Sequence, residues 1–370
     1  MLPVKFLMCM LFIVAPVLAA DNRQEFVPAT EGYRYEFPRD HGSHESFRTE
    51  WWYYTGNLMA NDGRSFGYQL TFFRRGMPAD QVKTLPSKWS ITQLYLAHFA
   101  VSDLRKGQFH YAEKISRAGL GKAGAEPEHL RVWIDRWRAE SPSAQSNHHR
   151  LEAAEGEIAL QLDLSPEKPL IIHGTAGISR KGTEPGQASH YYSFTRLATT
   201  GKLTIGKETF EVTGTSWMDH EFGSADLGKD LVGWDWFSVQ LDNHTELMLY
   251  RLRRADGSAD PVSSGTFIDR DGKGHHLAIG DFMLEPLSEW TSPTSKARYP
   301  QRWRLTIPSQ HLSLTLNPLM AEQELTTSKS TQVTYWEGAI EVSGVAGDTK
   351  VKGHGYMELT GYAERFTKKL

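Results

Sequence analysis

The chain has 370 residues, a formal net charge of −3 and 23% charged residues. Because both signs are mixed along the chain, nucleic acid and an anionic membrane are not expected as partners. The single cysteine is Cys9. A mature chain that has lost its N-terminus could therefore form neither a disulfide nor a cysteine-ligated metal site. The sequence also lacks phosphate-loop, zinc-protease, nucleophile-elbow and dinucleotide-binding motifs, so we predict no cofactor and no metal.

The first twenty residues have the pattern of a cleavable signal peptide. Lys5 supplies the positive charge, residues 6–18 form an apolar run, and the small residues Ala19 and Ala20 follow. The run is too short to span a bilayer comfortably. We therefore predict a signal peptide at residues 1–20, cleaved after Ala19 or Ala20, and a periplasmic or secreted protein.

Four segments recur in the same order later in the chain. Residues 51–58 match 234–241, residues 67–75 match 247–254, residues 160–166 match 312–318, and residues 212–219 match 351–358. Ordered recurrence of this kind indicates a duplicated unit. We predict an N-terminal domain at residues 21–225 and a C-terminal domain at 226–370. The first copy is longer, and we expect its extra residues in loops.

The repeated unit has the pattern of β-strands. Apolar and polar residues alternate in segments such as 66–73, 160–164 and 312–317, and a period of two places each set on its own face. Turn sequences separate these segments, and long amphipathic helices are scarce. Because an antiparallel sheet must protect its edges, we predict two all-β barrels in tandem, each of roughly eight to ten strands.

The loops of the first copy predict where a ligand would enter. Residues 21–47 read as an extended arm with a strand-like segment at 33–38, and insertions at 76–90, 118–129, 139–150 and 174–189 are mostly missing from the second copy. Long loops at one rim of a barrel often shape a ligand mouth, although they can also be surface decoration. The join at 224–233 is short, so we expect the two barrels to pack against each other.

Residues 216–223 hold the densest group of chemically active side chains. In an unbroken strand His220 shares the more apolar face with Met218 and Phe222, whereas Asp219 and Glu221 take the other face. We expect His220 to point inward, either as an acid–base group or as a structural histidine bonded to the backbone. Side chains on opposite faces cannot converge on one ion, so residues 219–221 do not predict a metal site.

The second copy separates these residues further. Leu359 stands at the position of His220, so the duplicate has lost the imidazole, which favours a functional role for His220. Glu358 stands at the position of Asp219. An acid in both copies favours a structural role, such as an ion pair between Asp219 and Arg74 or Arg75.

Several motifs resemble the AttH/CrtC family. They are residues 49–56 (TEWWYYTG), 191–197 (YYSFTRL), 217–223 (WMDHEFG) and 234–237 (WDWF). The resemblance covers nearly the whole mature chain and implies two lipocalin-like, or calycin, barrels. It also implies kinship with carotenoid 1,2-hydratases, with more remote terpenoid cyclases and pericyclases, and with bacterial proteins described only as secreted hydrolases.

The resemblance carries activity over only in part. His220 and Tyr250 fit the hydratase pattern, but Phe222 stands where that pattern has a tryptophan, and Leu252 stands where it has an acid. Protonating an alkene needs a positioned acid and an aromatic wall that stabilises the cation. Glu50 and Asp235 are the acids nearest to the tryptophan-rich motifs. The sequence shows no nucleophile or zinc motif for a hydrolase.

Three hypotheses for function follow from the sequence. The first is a monomeric periplasmic carrier that binds an apolar lipid- or isoprenoid-like molecule in a barrel cavity. The second is a hydro-lyase or cyclase related to carotenoid 1,2-hydratase, with His220 as acid–base and Glu50 or Asp235 as proton source. The third is an accessory subunit of an envelope ABC transporter. The predicted ligand-binding residues are Trp51, Trp52, Tyr191, Tyr192, Trp217, Phe222, Trp234, Trp236 and Tyr250.

Overall fold

The computed structural model describes residues 26–78 and 91–366. The predicted signal peptide with Cys9 lies outside these residues, and so does most of the predicted insertion at 76–90. Among the described residues, no helix has the length and apolarity needed to cross a bilayer. The described helices are three short 3-10 turns, at Arg39–His41, Ile279–Asp281 and Pro308–Gln310.

Two antiparallel sheets contain almost all of the strands. The first sheet holds β1 (Thr49–Ala60), β2 (Ser65–Gly76), β3 (Gln93–Asp103), β4 (Gln108–Arg117), β5 (Ala123–Ala125), β6 (Arg131–Ile134), β7 (Trp137–Glu140), β8 (His149–Glu155), β9 (Ile158–Pro166), β10 (Ile171–Ile172), β11 (Ser179–Arg180), β12 (Ala188–Ile205) and β13 (Glu208–Gly223). The second holds β14 (Leu231–Leu241), β15 (Glu246–Arg254), β16 (Ser264–Ile268), β17 (Gly274–Ala278) and β18 (Met283–Pro286), then β21 (Trp303–Ile307), β22 (Leu312–Pro318), β23 (Glu324–Thr326), β24 (Thr334–Ala346) and β25 (Thr349–Thr360). A separate hairpin pairs β19 (Glu289–Thr291) with β20 (Arg298–Pro300).

Each sheet curls around its own apolar core, and this confirms the predicted tandem barrels. In the first sheet the order is β4-β3-β2-β1-β13-β12-β9-β8-β7-β6-β5, and in the second it is β17-β16-β15-β14-β25-β24-β22-β21-β18. The strands from β4 to β7 in the first order correspond one by one to the strands from β17 to β18 in the second. The added strands β5 and β6 come from residues 123–134, so part of the extra length forms strands rather than the expected loops.

The strand register confirms the duplication residue by residue. Thr55 of β1 pairs with Trp217 of β13, and at the matching place Ser238 of β14 pairs with Tyr356 of β25. Gly201 lies between Leu162 and Val212 in the first sheet. Gly344 lies between Leu314 and Val351 in the second. Equivalent positions in the sequence are thus equivalent positions in the two barrels.

The arm before β1 differs from the strand-like segment that its sequence suggests. Residues 33–38 form no strand, and the segment turns into the short helix at Arg39–His41. Aromatic rings of the arm pack against barrel one: Tyr33 lies on His190 with ring centroids 4.4 Å apart, and Phe37 meets Tyr192 at 5.3 Å. The arm therefore covers one end of the first barrel.

The two barrels pack through a third apolar core. Its members come from both sheets and include Tyr53 and Trp217 of the first and Trp236 and Tyr356 of the second. The interface also contains a buried ion triad, since Glu246 of barrel two accepts from Arg196 Nε at 2.6 Å and from Lys168 Nζ at 2.7 Å.

We predict that Glu246→Gln weakens the packing between the barrels. Loss of the carboxylate leaves two cations without their partner in a buried place, and removal of one member of a buried ion pair costs about 3 kcal/mol. Urea unfolding at neutral pH should show a fall of this size in the free energy of unfolding. Glu208→Gln is the matched control, because Glu208 is exposed and its ion pairs with Arg64 and Lys106 contribute little. Equal stabilities for the two variants would contradict the prediction.

Candidate active site

Strand β13 separates two buried environments. Its register and the alternation of its side chains send Met218, His220 and Phe222 toward barrel one and the adjoining arm. Trp217, Asp219 and Glu221 point the other way, toward barrel two. Both faces are covered because barrel two packs on the outer face of the strand. The expected inward orientation of His220 is what the structure has.

The inner face holds a cluster of buried charges around Glu50. Glu50 Oε1 accepts from His44 Nδ1 at 2.7 Å and from His220 Nε2 at 2.8 Å, and Oε2 accepts from Arg74 Nε at 2.8 Å. His44 reaches on to Asp40 at 3.1 Å. Arg74 pairs across the sheet with Glu50 rather than with Asp219, so the expected ion pair between Asp219 and Arg74 or Arg75 is wrong.

This cluster fixes the protonation of its members. Burial alone would raise the pKa of Glu50, but Arg74 and His44 hold it well below its usual value, so Glu50 is a carboxylate. Burial lowers the pKa of His220, although Glu50 partly opposes this, and the neutral imidazole donates Nε2–H to Glu50. Its Nδ1 lies 2.9 Å from the Tyr192 hydroxyl oxygen. Glu50 has no proton to give, and both nitrogens of His220 are engaged.

Ligand atoms of His44, Glu50 and His220 lie within 4.8 Å of one another, a spacing that could suit a metal ion. Two features of the cluster do not fit one. Both imidazole N–H groups already bond to Oε1 of Glu50, and the guanidinium of Arg74 neutralises the same carboxylate. An added cation would have to displace these hydrogen bonds beside a fixed positive charge. These hydrogen bonds join the arm to β1, β2 and β13.

Asp235 lies in a comparable cluster in barrel two. It contacts Arg251 Nη2 at 2.7 Å and Arg253 Nε at 3.2 Å, and it accepts from Tyr362 OH at 2.8 Å. Asp235 is fully buried, and its flanking residues Trp234 and Trp236 point to the opposite face of β14. Asp235 therefore pairs with two guanidinium groups and lies on the face of β14 that is turned away from the cavity.

A cavity of about 200 Å³ lies between the barrels. Outward faces of both sheets form its walls: Trp51, Tyr53, Gln69, Tyr191 and Asp219 from barrel one, and Trp234, Trp236, Tyr250, Glu337 and Glu358 from barrel two. Lys181 reaches in from the loop that follows β11. The surface is mainly aromatic and aliphatic with a few polar groups, as is usual for small-molecule sites.

Two carboxyl groups face the cavity side by side. Glu337 of β24 pairs directly with Glu358 of β25, and like charges at such positions repel. Glu337 Oε1 accepts from Tyr53 OH of the other barrel, while Oε2 has no hydrogen-bond partner among the described residues. Glu358 Oε1 accepts from Trp234 Nε1 at 3.2 Å and Thr360 Oγ1 at 3.0 Å.

The environment favours the protonated form of these carboxyl groups. Burial, and then the charge of Glu358, raise the pKa of Glu337 well above its usual value. Burial likewise raises the pKa of Glu358 to about 7. Neither side chain contacts a basic residue in the described part of the chain. Carboxyl groups that are neutral near pH 7 and lie in a cavity can act as proton donors.

Asp219 is the third carboxyl group of the cavity. It accepts from Trp217 Nε1 and Tyr191 OH, each at 2.6 Å, and from Ser193. Burial raises its pKa to about 7, and these hydrogen bonds oppose the rise. Ser193 lies opposite Asp219 across β12 and β13, as Glu337 lies opposite Glu358 across β24 and β25. The two barrels thus contribute corresponding acids, Asp219 and Glu358, to one cavity.

Among the described residues that line the cavity, Lys181 carries an ammonium group. Lys181 Nζ lies 2.8 Å from Glu221 Oε1 and 4.5 Å from the ring centroid of Tyr250. Burial disfavours its charge, but Glu221 raises the pKa of the lysine above its usual value, so Lys181 is charged. Lys181 comes from the insertion at 174–189 of the first copy, which therefore contributes to the cavity wall.

The structure sorts the predicted site residues into separate places. Trp51, Tyr191, Trp234, Trp236 and Tyr250 line the cavity. Trp217 packs beside it, with its ring centroid 6.3 Å from that of Trp236. On the other face of the sheet, Trp52 stacks on His220 at 4.9 Å, and Tyr192 and Phe222 contact the same imidazole. His220 and Glu50 are therefore together, but neither they nor Asp235 line the cavity.

Sequence reasoning missed Glu337 as a site residue and took Glu358 only as the structural counterpart of Asp219. The pairing of Asp219 with Glu358 in the repeat did carry the signal. An acid on the outer face of the last strand of each copy, among tryptophans, marks a surface that the two barrels share. Glu337 had no such mark, because Ser193 occupies the corresponding position in the first barrel.

Comparison with known proteins agrees with this architecture. The family model described as AttH-like matches residues 28–362. The chain belongs to the AttH-like family. A crystal structure of a putative AttH from Nitrosomonas europaea is 34% identical, with a TM-score of 0.82 over 91% of this chain and 100% of that one. A comparison with curated protein sequences found no match.

More distant structures share the fold of this AttH-like protein. Kievitone hydratase from Nectria haematococca is 15% identical, with a TM-score of 0.68 over 92% of this chain and 96% of that one. The protein CghA is 17% identical, with a TM-score of 0.56 over 86% of this chain and 90% of that one. At these identities the structural similarity shows the two-barrel fold alone. It assigns no chemical activity to this chain.

We expect Glu50→Gln to destabilise the protein in a pH-dependent way. The folded pKa of Glu50 lies below the ordinary value of 4.5, so its contribution is complete above about pH 5 and is lost as the pH falls through the folded pKa. Unfolding measured at pH 7 should show a loss of about 3 kcal/mol, and the gap to wild type should narrow in acid. The exposed Asp163→Asn is the control, and a gap that stays constant with pH would contradict the assignment.

Glu358→Gln should have the opposite effect. The folded pKa of about 7 lies above the ordinary 4.5, so the favourable contribution of protonated Glu358 is complete below about pH 4.5 and is lost as the pH rises through 7. Relative to wild type, the variant should gain about 2 kcal/mol in the free energy of unfolding between pH 5 and pH 8. Glu341→Gln is the control, because Glu341 is exposed and lies on the same strand, β24, as Glu337. Its replacement should leave the free energy of unfolding unchanged relative to wild type between pH 5 and pH 8. A pH-independent difference for Glu358→Gln would refute a raised pKa.

Proposed function

We propose that this AttH-like protein is an enzyme of the hydratase or cyclase type, which protonates a carbon–carbon double bond of an apolar substrate in the cavity between the barrels. The observation that carries the proposal is the pair of neutral carboxyl groups, Glu337 and Glu358, among aromatic walls. A hydratase with the same fold, kievitone hydratase, gives the proposal its reaction class.

Glu337 is the proposed proton donor. Its Oε2 has no partner among the described residues, and Tyr53 holds the other oxygen in place. The π electrons of the substrate take the proton and form a C–H bond, which leaves a carbocation on the neighbouring carbon and a carboxylate on Glu337. The indole rings of Trp51, Trp234 and Trp236 stabilise that positive charge through their π faces.

Capture of the cation completes the reaction. In a hydration, water forms a C–O bond and releases a proton to a carboxylate of the cavity, either Glu337 itself or Asp219. In a cyclisation, a second double bond or a hydroxyl of the same substrate attacks, and the same carboxylates take up the proton that is lost. Asp219 suits the acceptor role because Tyr191, Ser193 and Trp217 stabilise its anion.

A carrier function is the second candidate. The mainly apolar cavity supports it, as it would in any lipocalin-like protein. A carrier of a neutral apolar ligand has no use for three buried carboxyl groups without basic partners, and such groups lower stability at neutral pH. The acids therefore favour catalysis over transport. The proposed periplasmic or secreted location depends on the predicted signal peptide. Association with an ABC transporter stays a prediction.

The test is turnover of a panel of terpenoid and polyprenyl alkenes in heavy water. Wild-type protein should add the elements of one water, or should give an isomer that has gained deuterium, and mass spectrometry detects both. Glu337→Gln keeps the size of the side chain but removes the acid, so turnover should fall by about 10² or more while binding persists. Glu341→Gln on the same strand should react like wild type.

Two results would contradict the proposal. Full turnover by Glu337→Gln would exclude Glu337 as the proton donor. Binding of these alkenes by wild-type protein without any deuterium uptake would favour the carrier.

A further inference from the structure

The cavity has an unbalanced set of charged groups. Of the described lining residues, five carry carboxyl groups and one carries an ammonium, Lys181, which already pairs with Glu221. Asp226 has its own partner outside the cavity, Arg48 Nη2 at 2.7 Å. Three carboxyl groups remain without a basic partner in the described chain: Asp219, Glu337 and Glu358. This composition repels anions and attracts a cation.

Two buried oxygen atoms in the cavity depend on the proton of Glu337. The amide nitrogen of Gln69 donates to Tyr335 OH at 3.2 Å and Thr71 Oγ1 at 3.3 Å, while Gln69 Oε1 has no partner among the described residues. A protonated Glu337 can donate from Oε2 to Gln69 Oε1, whereas an ionised Glu337 leaves both oxygens without a donor. Both side chains are only 2% exposed, and an unsatisfied buried acceptor costs about 1–3 kcal/mol. A ligand that brings N–H donors would remove that cost.

Aromatic walls complete a site for positive charge. Trp51, Tyr53, Trp234, Trp236 and Tyr335 line the same cavity, and the faces of such rings attract ammonium groups. We infer that the cavity binds a molecule with a protonated amine on an apolar body, the ammonium lying beside Gln69, Glu337 and Glu358. The inference shares the location of the proposed function but does not depend on alkene protonation.

Binding of an amine would leave one protonated carboxyl group in the Glu337–Glu358 pair. One ammonium neutralises one carboxylate, so the second carboxyl of the Glu337–Glu358 pair keeps its proton. Binding then releases about one proton, and affinity should rise with pH until the pair can ionise freely. The other titratable groups that face this pair from the surrounding elements are Asp219, Glu221, Lys181, His98, Tyr53 and Tyr335.

Three small probes of similar shape test the inference: 2-phenylethylamine, 2-phenylethanol and phenylacetate. Calorimetric titration of full-length protein at pH 8 should give an amine affinity about tenfold above that of the alcohol, with phenylacetate the weakest. At pH 6 the amine should bind about tenfold more weakly than at pH 8, whereas the alcohol should not change. The double variant Glu337→Gln/Glu358→Gln should reduce the preference for the amine below about threefold, and Glu341→Gln should retain it.

Equal affinity for amine and alcohol in wild type would overturn the inference, and so would a preference that survives in the double variant. Circular dichroism of that variant shows whether the fold is intact, and Gln69→Leu supplies an independent check by removing the second acceptor. Failure of the amine preference is distinguishable from failure of the proposed function. Turnover of alkenes by wild type and its loss in Glu337→Gln are measured without any amine present.

Discussion

Successive residues of a strand point to opposite faces, and in this protein both faces of the central strands are buried. On β1 and β13 the inner face packs into barrel one or against the arm, and the outer face packs against barrel two. Neighbouring residues such as Asp219 and His220 therefore belong to different sites, although they are adjacent in the chain. The division into an interior cluster and a cavity between the barrels depends on this alternation.

The protein also shows how surroundings decide the use of a carboxyl group. Glu50 is surrounded by Arg74, His44 and His220, and these partners keep it ionised. Glu337 is as deeply buried but has a second glutamate as its neighbour, so its proton stays bound. The first arrangement holds the arm to the barrel. The second leaves an acid whose proton can be transferred, and its unfavourable burial is what one expects of a catalytic group.

Much of the fold could be predicted from the sequence because duplication and a period of two are local signals. They predicted the equivalence of Trp217 with Tyr356 and the inward direction of His220, and the structure has both. The composition of the cavity could not be predicted in the same way. Glu337 becomes a site residue only because barrel two lies against Tyr53 and Gln69, and no local pattern reports that contact. The partners of Glu50 were equally hidden, since His44 comes from an arm whose path over the barrel end depends on tertiary packing.

The cavity is built from two copies of one unit, and an exact repeat would present the same groups to both ends of a ligand. Asp219 and Glu358 keep that symmetry, but Ser193 and Glu337 break it, and Lys181 comes from a loop that the second copy lacks. The site therefore has a head and a tail. An elongated ligand would meet a different chemical group at each end, so its two orientations in the cavity are not equivalent.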